Sequence, residues 1–282
     1  MLSLLWDTRQ YFFWLMVISV LCFVLERILP WRKAQRALRN QFGQDLFWLV
    51  FNGHYLGILL AHVTAWLWLA AGEVPERAIG HIPEVVWLPD QPLWVQFLLF
   101  LTIRDFVEWL VHNLLHKVPF LWEFHKLHHS IEELDWIGNF RFHWMEVVVY
   151  RMLTYLPLVM LDVSGQVILW VAIVGTLIGH LNHSNIRISW GPLKYVLNSS
   201  RMHAWHHDEV LHGGHGQNFG VILSVWDWVF GTAYLPDDRE QPDRLGFEGF
   251  DAYPRSLVGR LVYPFWKSKA GTRSREDTKE TK

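Results

Sequence analysis

Ten of the sixteen histidines in this chain occur at short, repeated spacings. They form the segments His112-x-x-x-His116, His125-x-x-His128-His129, His180-x-x-His183 and His203-x-x-His206-His207. Histidines three or four positions apart on a helix share a face, with Cβ atoms about 5–6 Å apart. Imidazoles grouped in this way on converging helices are typical of metal sites. Ordinary buried histidines would not repeat the His-x-x-His-His spacing twice, so we predict that these ten residues bind metal.

The number of histidines predicts more than one metal ion. A structural zinc site takes about four protein ligands and a catalytic one about three, so ten imidazoles are too many for a single ion. Two six-coordinate ions offer about twelve positions and would leave about two open for oxygen or water. Imidazole binds iron as well as zinc, and two irons with open positions favour dioxygen activation. The count supports two metals more strongly than it supports iron.

An acidic residue precedes the first histidine pair on the same predicted helix. Positions 105, 108, 109, 112 and 116 follow one helical stripe, which places Asp105 about two turns from His112. A carboxylate there would accept the N–H of a ligating imidazole and orient its ring, which makes Asp105 the candidate catalytic residue outside the ligand set. The alternative is that Arg104 and Glu108 form an ion pair and that Asp105 only caps neighbouring polar groups.

The composition is that of a membrane protein. Hydrophobic residues make up 51% of the chain and charged residues 18%, whereas soluble domains carry about 25% charged residues. The eighteen tryptophans favour membrane–water interfaces. A net charge of −2 gives no indication of a nucleic-acid partner, and the single cysteine, Cys22, excludes disulfides and thiolate metal sites within the chain.

Apolar segments predict the membrane topology. Residues 11–29, 46–71 and 93–115 are each long enough to cross a bilayer, which takes about 20 residues. Two shorter runs, 147–161 and 167–181, predict either a tight spanning hairpin or a re-entrant one. The loop at 32–39 is basic, whereas Arg77 is the only Lys or Arg of 72–92, which places the first loop in the cytoplasm and the second outside. The ten histidines then meet at the cytoplasmic end of the bundle.

The predicted fold class is an all-α integral membrane protein with about four transmembrane helices, the last two forming a short hairpin, and a cytosolic helical cap that carries the histidine boxes. We divide the chain into an N-terminal transmembrane hairpin with its loops (residues 1–92), a catalytic region (93–236) and a cytosolic amphipathic segment with a disordered tail (237–282). In the third region, an apolar stripe that includes Leu257, Val258 and Leu261, flanked by Arg260, predicts a helix lying on the membrane surface.

The order of these motifs resembles the fatty acid hydroxylase/sterol desaturase superfamily over about residues 93–236. Besides the histidine segments, the resemblance rests on the following pattern: Asp105-Phe106, Leu121-Trp122, Arg141-x-His143-x-x-Glu146, His183-Ser184-Asn185, Asn218-Phe219-Gly220, Trp226-Asp227 and Phe230-Gly231-Thr232. It implies a membrane-embedded, non-haem diiron enzyme that acts on lipids, with four helices and a cytosolic cap over two iron ions. The eight histidines of the boxes and His183 correspond to the family's ligands. His180 is taken as the tenth, with an outer role beside a ligand as the alternative.

Some positions depart from the family pattern or stand beside it. Asn113 replaces an arginine that often follows the first histidine, and Trp109 stands where a tyrosine is common. Both changes would alter the substrate channel without removing a ligand. His143, His212 and His215 lie outside the predicted ligand set. The His-Gly-Gly segment lacks the features of a haem-binding cytochrome module, so electrons are expected from a separate donor, either a reductase, a cytochrome b5-like protein or a ferredoxin-like protein.

The predicted function is that of a membrane-bound diiron oxygenase which uses O2 and external electrons to hydroxylate, or desaturate, a C–H bond of a lipid. An ether-lipid-cleaving monooxygenase of the same family is the alternative. A metal transporter would instead line a midplane pathway with polar residues, and a haem carrier would need histidines on facing helices, whereas His54 and His62 lie on one. The expected location is multi-pass in a bacterial inner membrane or the endoplasmic reticulum, with a cytoplasmic active site. Sterol, fatty acyl, ether, carotenoid and amino-acid lipids all remain open as substrates.

Overall fold

Helices make up the regular structure in the part of the chain that the computed structural model describes, residues 7–71, 87–155, 158 and 161–265. Two isolated antiparallel bridges join Leu197 to Leu223 and Asp208 to Leu245, and no strand occurs in those ranges. The predicted all-α class is confirmed to this extent. Most of the loop predicted to lie outside the membrane (72–86) and the tail predicted to be disordered (266–282) fall outside the described residues.

The longer helices follow the predicted apolar and histidine-rich segments, whereas the short helix Val225–Phe230 lies where no helix was predicted. Their bounds are α1 Tyr11–Ile28, α2 Phe42–Val50, α3 Leu56–Ala71, α4 Leu93–Lys117, α5 Pro119–His129, α6 Trp144–Tyr155, α7 Gly165–His183, α8 Ser200–His206, α9 Val225–Phe230 and α10 Leu257–Val262. A single π-helical turn joins α2 to α3, so the second predicted span is helical throughout. Serine side chains cap α7 and α8: Ser164 accepts from the N–H of Gln166, and Ser199 from that of Met202.

Two of these helices, α1 and α7, are long and apolar enough to cross a membrane. They pack against each other, and the Tyr11 hydroxyl lies 2.7 Å from Thr176 Oγ1 across their interface. The two runs predicted to form a hairpin correspond to α6 and α7. The four-span topology goes beyond these observations and stays a prediction.

A buried carboxylate near the end of α1 anchors two distant segments. Glu26 is 1% exposed, and its Oε1 accepts the backbone N–H groups of Trp136 and Asn185, each at 2.8 Å. Trp136 begins a short 3₁₀ turn after α5, and Asn185 follows α7. Glu26 therefore ties α1 to the segments that follow two of the histidine-bearing helices.

A buried network of charged side chains joins the N-terminal loop to the end of α5. Arg141 donates from Nε and Nη2 to the two carboxylate oxygens of Asp45, and Arg39 bridges Asp45 and Asp135. Arg141 also donates to the carbonyl oxygen of Ser130, the residue that follows α5, at 2.9 Å. Breaking such a buried pair by removing one partner costs about 3–5 kcal/mol. This network fixes the end of the helix that carries the second histidine box.

The helix predicted to lie on the membrane surface packs partly against the protein. Leu257 and Leu261 of α10 contact a buried cluster that includes Trp48 and Leu127. Arg260, predicted to flank the apolar stripe, is fully buried and donates to the Gln41 side chain at 2.7 Å. Protein thus covers part of the predicted stripe, whereas Val258 is 69% exposed, and the placement of this helix on the membrane surface stays a prediction.

Candidate metal centre

A tight reversal between α4 and α5 brings the first two histidine boxes face to face. Val118, the only residue between the helices, has extended backbone angles (φ −91°, ψ 113°), as expected for a residue before proline. The Nε2 atoms of His112 and His125 lie 3.2 Å apart, and those of His116 and His129 lie 3.1 Å apart. Two turns of α4 therefore meet two turns of α5 through their imidazoles.

Nine of the ten predicted ligands collect in two buried groups, in each of which one ring nitrogen per residue lies within 4.8 Å of the others. Cluster A contains His112, His116, His125, His129 and His206; cluster B contains His128, His183, His203 and His207. The clusters adjoin, since the ring centroids of His129 and His207 are 4.6 Å apart. Four helices, α4, α5, α7 and α8, supply these residues, with His207 at the C-terminal end of α8.

Helical geometry decides which histidine enters which cluster. Within one cluster, residues from the same box are always four positions apart: His112 and His116, His125 and His129, His203 and His207. The middle histidine of each His-x-x-His-His box belongs to the other cluster: His128 to cluster B and His206 to cluster A. Successive residues on a helix are rotated by about 100°, so neighbours such as His206 and His207 cannot present their rings to the same point. The repeated box thus builds two sites.

His180 lies outside both clusters, which corrects its assignment as a tenth ligand. Its Nε2 lies 3.1 Å from Ser19 Oγ, and its Nδ1 lies 2.9 Å from the Asn139 side-chain nitrogen. His183 lies three positions further along α7, and its ring belongs to cluster B, whereas the His180 ring faces α1 and the 136–140 turn. Both nitrogens of His180 are engaged in the packing between α1, α7 and the 136–140 turn.

The remaining histidines that the sequence singled out also lie elsewhere. His143 Nε2 donates to the carbonyl oxygen of Leu261 at 3.1 Å. His212 bonds to Asp208 and stacks on Tyr234, and His215 stacks on Phe219. None of them belongs to either group of converging ring nitrogens among the described residues.

Backbone carbonyls set the orientation of three clustered imidazoles. The Nδ1 atoms of His112, His183 and His206 lie 2.8 Å from the carbonyl oxygens of Phe219, Gly179 and Gln217, respectively. A carbonyl oxygen only accepts hydrogen bonds, so each Nδ1 carries the proton and each Nε2 presents its lone pair to the cluster. The Nε2 of His206 is buried and has no hydrogen-bond partner among the described residues. This is the tautomer that a metal ligand requires.

A buried glutamate orients a fourth imidazole. His125 Nδ1 lies 2.7 Å from Oε1 of Glu146, which is 3% exposed. Burial raises the pKa of Glu146 well above its ordinary value, so its carboxylate is ionised only with a compensating cation nearby. In that ionised form it accepts the Nδ1–H of His125, and the Nε2 lone pairs of His125 and His112 then face each other across the position of the cation. The sequence pattern contained Glu146 without giving it a role. Glu146 is the third residue of α6 and lies three positions after His143, and this spacing was the only sequence feature that could have indicated its role.

The nitrogen spacings fit shared metal ions. Within the two clusters, five Nε2···Nε2 distances fall between 3.0 and 3.3 Å. With metal–nitrogen bonds of about 2.1 Å, ligands at right angles lie about 3.0 Å apart and tetrahedral ligands about 3.4 Å apart. The donor set is all imidazole, which suits iron, copper, nickel and zinc. The residues present therefore fit two metal ions, one in each cluster.

Asp105 does not accept from an imidazole, which corrects its predicted role. Its two carboxylate oxygens accept the N–H groups of Ile222 and Leu223 and the indole N–H of Trp226, at 2.8 to 3.1 Å. The nearest predicted partner, His112, is already bonded to the Phe219 carbonyl oxygen. Asp105 therefore acts on the loop that supplies this carbonyl.

Asp227 holds the same loop from its other side. Its carboxylate accepts the N–H groups of Phe219 and Gly220, each at 2.8 Å, and the indole N–H of Trp109 at 3.0 Å. Gly220 is required here because an added Cβ would lie 2.5 Å from the Leu223 carbonyl oxygen. Two buried carboxylates thus hold the segment that supplies the Phe219 carbonyl, which fixes the tautomer of His112 in cluster A.

The chain is similar in sequence to known proteins. Residues 97–232 match the model of the fatty acid hydroxylase family. Ornithine lipid hydroxylase OlsE of Rhizobium tropici is 31% identical to this chain over 265 residues, which cover 94% of the chain and 77% of that relative. The chain belongs to the fatty acid hydroxylase family.

Other family members share a shorter region. Human alkylglycerol monooxygenase is 26% identical over 152 residues, covering 54% of this chain and 33% of the relative. Methylsterol monooxygenase 1-1 of Arabidopsis thaliana is 26% identical over 144 residues, covering 49% and 46%. No solved structure matches the chain. The nine clustered histidines, Asp105, Glu146 and Asp227 all fall within the range that the fatty acid hydroxylase model matches.

The buried imidazoles of this family member predict acid sensitivity of the metal-free protein. Burial, together with repulsion from neighbouring imidazoles, holds the pKa of His128, His129 and His207 well below the ordinary value of 6.5. Below about pH 6.5 these imidazoles bind protons in the unfolded chain but stay neutral in the folded chain. The free energy of unfolding should therefore be constant above about pH 7.5 and fall below about pH 6.5, by up to about 1.4 kcal/mol per pH unit for each such group.

Thermal unfolding of the metal-free protein between pH 5 and 8 measures this dependence. His128→Asn should reduce the slope, because it removes one group that titrates only on unfolding. A stability that stays constant down to pH 5 would contradict the predicted burial of neutral imidazoles.

Proposed function

We infer that this chain is a membrane-embedded, non-haem diiron hydroxylase that inserts one oxygen atom from O2 into a C–H bond of an amino-acid-containing lipid. The observation that carries the proposal is the pair of adjoining, buried clusters of five and four imidazoles. A buried, all-nitrogen site with fixed tautomers is built to hold metal, and two such sites side by side suit a two-metal centre.

Iron is the metal that fits the site and the family. Nine imidazoles fill nine of about twelve positions on two six-coordinate ions and leave about three open, one more than the sequence count of ten suggested. The five Nε2···Nε2 spacings, 3.0 to 3.3 Å, lie between the distances of about 3.0 Å for ligands at right angles and about 3.4 Å for a tetrahedral set, so the choice of iron rests on the number of imidazoles and on the family. When bound, two iron ions would supply the activation of dioxygen. The protein's own groups hold the ligands, orient their rings and keep bulk water away.

The proposed substrate class follows the relative that aligns with nearly the whole chain. That relative is named as an ornithine lipid hydroxylase and aligns with 94% of this chain, so a lipid with an amino-acid head group is our first choice. The reaction consumes one O2, two electrons and two protons, and converts the C–H bond into C–OH with release of one water. The electrons come from a separate reductase, cytochrome b5-like or ferredoxin-like donor.

The proposed location is a membrane, with the clusters at its cytoplasmic face. The two apolar helices α1 and α7 support membrane insertion. The third predicted span, now α4, carries His112 and His116 at its C-terminal end, and the basic residues at 32–39 place this end in the cytoplasm by the positive-inside rule.

Isotope incorporation tests the proposed reaction. The full chain, loaded with iron, is reconstituted in vesicles that contain ornithine lipid, with NADPH, a ferredoxin and its reductase. We expect a product heavier by one oxygen atom, which carries the heavy isotope when O2 is labelled and the light one when only water is labelled. Product formed without O2, or with oxygen taken from water, would refute an oxygenase.

Ether cleavage is the second candidate, because human alkylglycerol monooxygenase is similar to about half of the chain. The same assay with an alkylglycerol in place of ornithine lipid distinguishes the two. Release of an aldehyde would favour ether cleavage, and loss of two hydrogens without oxygen gain would indicate desaturation.

A further inference from the structure

We propose that residues 218–231, the segment that contains α9, form a re-entrant element within the bilayer whose outer face contacts lipid acyl chains. The inference rests on the proposed function in one respect, which is that α4 crosses the membrane. It follows from the depth of the segment, the way its backbone groups are satisfied, and the side chains on its outer face.

The contacts with α4 set the depth of this re-entrant segment. Asp105, which binds Ile222, Leu223 and Trp226, is the thirteenth of the 25 residues of α4. At a rise of about 1.5 Å per residue it lies about 18 Å from either end of the helix and about 10 Å from His112. A bilayer has a hydrocarbon core about 30 Å thick. If α4 spans this core, the re-entrant segment reaches deeper into the membrane than the histidine clusters do.

The irregular backbone of the segment is satisfied within the protein. Non-helical chain is tolerated at membrane depth only where its polar groups have protein partners, since each unsatisfied group costs several kcal/mol. In this segment, side chains accept hydrogen bonds from the backbone N–H groups: Asp227 accepts from residues 219 and 220, and Asp105 from residues 222 and 223. The carbonyl oxygens of residues 219, 220 and 221 accept from His112, Asn198 and Asn182. A loop in water would not need two buried carboxylates and two buried amides for its backbone.

The outer face of the segment is apolar. Val229 is 67% exposed and Phe230 is 53% exposed. The adjoining 190–196 segment, joined to α9 by a bond from the Trp228 indole N–H to the Lys194 carbonyl oxygen, adds Leu193, Tyr195 and Val196, all about half exposed. Grouped exposure of large apolar side chains marks a surface that is covered in the working state.

Acyl chains are the occupant that the surroundings favour. Phe230 contacts Phe106 and Trp109 of α4, with ring centroids 6.0 and 4.8 Å apart. On the same helix, Leu110 and Leu114 are also exposed, 42% and 43%. The apolar face of α9 therefore adjoins a helix whose own exposed leucines would face lipid. We expect both surfaces to contact acyl chains.

Depth-dependent fluorescence quenching tests this placement. Cys22 is the only cysteine and is fully buried, so single cysteines can be introduced into the full chain and labelled selectively. Val229→Cys reports the proposed face, Leu110→Cys reports α4, and Asp243→Cys, whose side chain is 88% exposed, reports water. Phe230→Cys serves as a second reporter of the same face. Each labelled variant is placed in vesicles of phosphatidylethanolamine and phosphatidylglycerol.

We expect labels at 229, 230 and 110 to be quenched by lipids with spin labels on their acyl chains and to be shielded from aqueous iodide, with the reverse at 243. Iodide quenching at 229 and 230 as strong as at 243, with 110 still shielded, would overturn this inference alone. Iodide access at 110 as well would overturn the membrane crossing of α4 and with it the proposed location. Shielding of 229 from both quenchers would mean that protein covers this face, which also refutes the inference.

Discussion

Replacing His183 by alanine is expected to lower the iron content from about two ions per chain to about one and to abolish hydroxylation. His183 presents its Nε2 lone pair to cluster B, 3.0 Å from His203 Nε2 and 3.3 Å from His128 Nε2. Its loss would leave three imidazoles in that cluster. Iron per chain, measured by elemental analysis, and product formation in the reconstituted vesicles test this expectation.

His180→Ala is the matched control, because the two histidines lie one turn apart on the same helix. His180 binds Ser19 and Asn139 instead of the cluster, so its removal should keep the iron content and most of the activity. It should lower the free energy of unfolding by about 1–3 kcal/mol, the usual cost of leaving a buried polar group without its hydrogen bond. Loss of one iron from His180→Ala would restore the ten-ligand assignment that the sequence suggested.

Replacing Glu146 by alanine is expected to reduce iron affinity or turnover by about 10–100-fold. Its carboxylate holds the Nδ1–H of His125 and makes that imidazole a stronger donor to the metal. Glu146→Gln keeps the volume and one acceptor oxygen while removing the charge. Comparing the two substitutions separates the loss of charge from the loss of the hydrogen bond.

Mössbauer spectra of the iron-loaded variants show where the Glu146 substitutions act. Only cluster A contains His125, so the spectrum of one iron should change and the other should not. Glu123→Gln is the control, because Glu123 lies on the same helix as His125 but pairs with Lys126. Equal changes at both irons, or an effect of similar size for Glu123→Gln, would show that Glu146 contributes only to general folding.

The histidine clusters and the carbonyls that orient them depend on one another through α4. Asp105 and Asp227 hold the 218–231 segment against this helix, and the same segment supplies the carbonyl of Phe219 to His112. The residues that place the proposed re-entrant element in the membrane are therefore the residues that fix one ligand of cluster A. Insertion of the segment and assembly of the metal site are expected to occur together.

Local periodicity in the sequence indicated the long helices and the histidines that share a face within each box. A spacing of four residues places two side chains on one helical face whatever surrounds the helix, and this holds for His112 and His116, and for His125 and His129. The repeated His-x-x-His-His box therefore indicated which side chains would converge, and the number of histidines predicted more than one metal ion. The spacing of three between His180 and His183 also places both on one helical face, so it did not show that only His183 would enter a cluster.

Only the tertiary structure decided the partners of those histidines. Asp105 lies on the stripe of His112, yet its oxygens bind backbone N–H groups 117 and 118 positions away. The carboxylate that does reach an imidazole is Glu146, on a different helix from His125. A helical period constrains one helix at a time, whereas a hydrogen bond between elements depends on how the helices and loops pack together. The sequence alone could therefore indicate the ligands, while the groups that orient them emerged only from the packed chain.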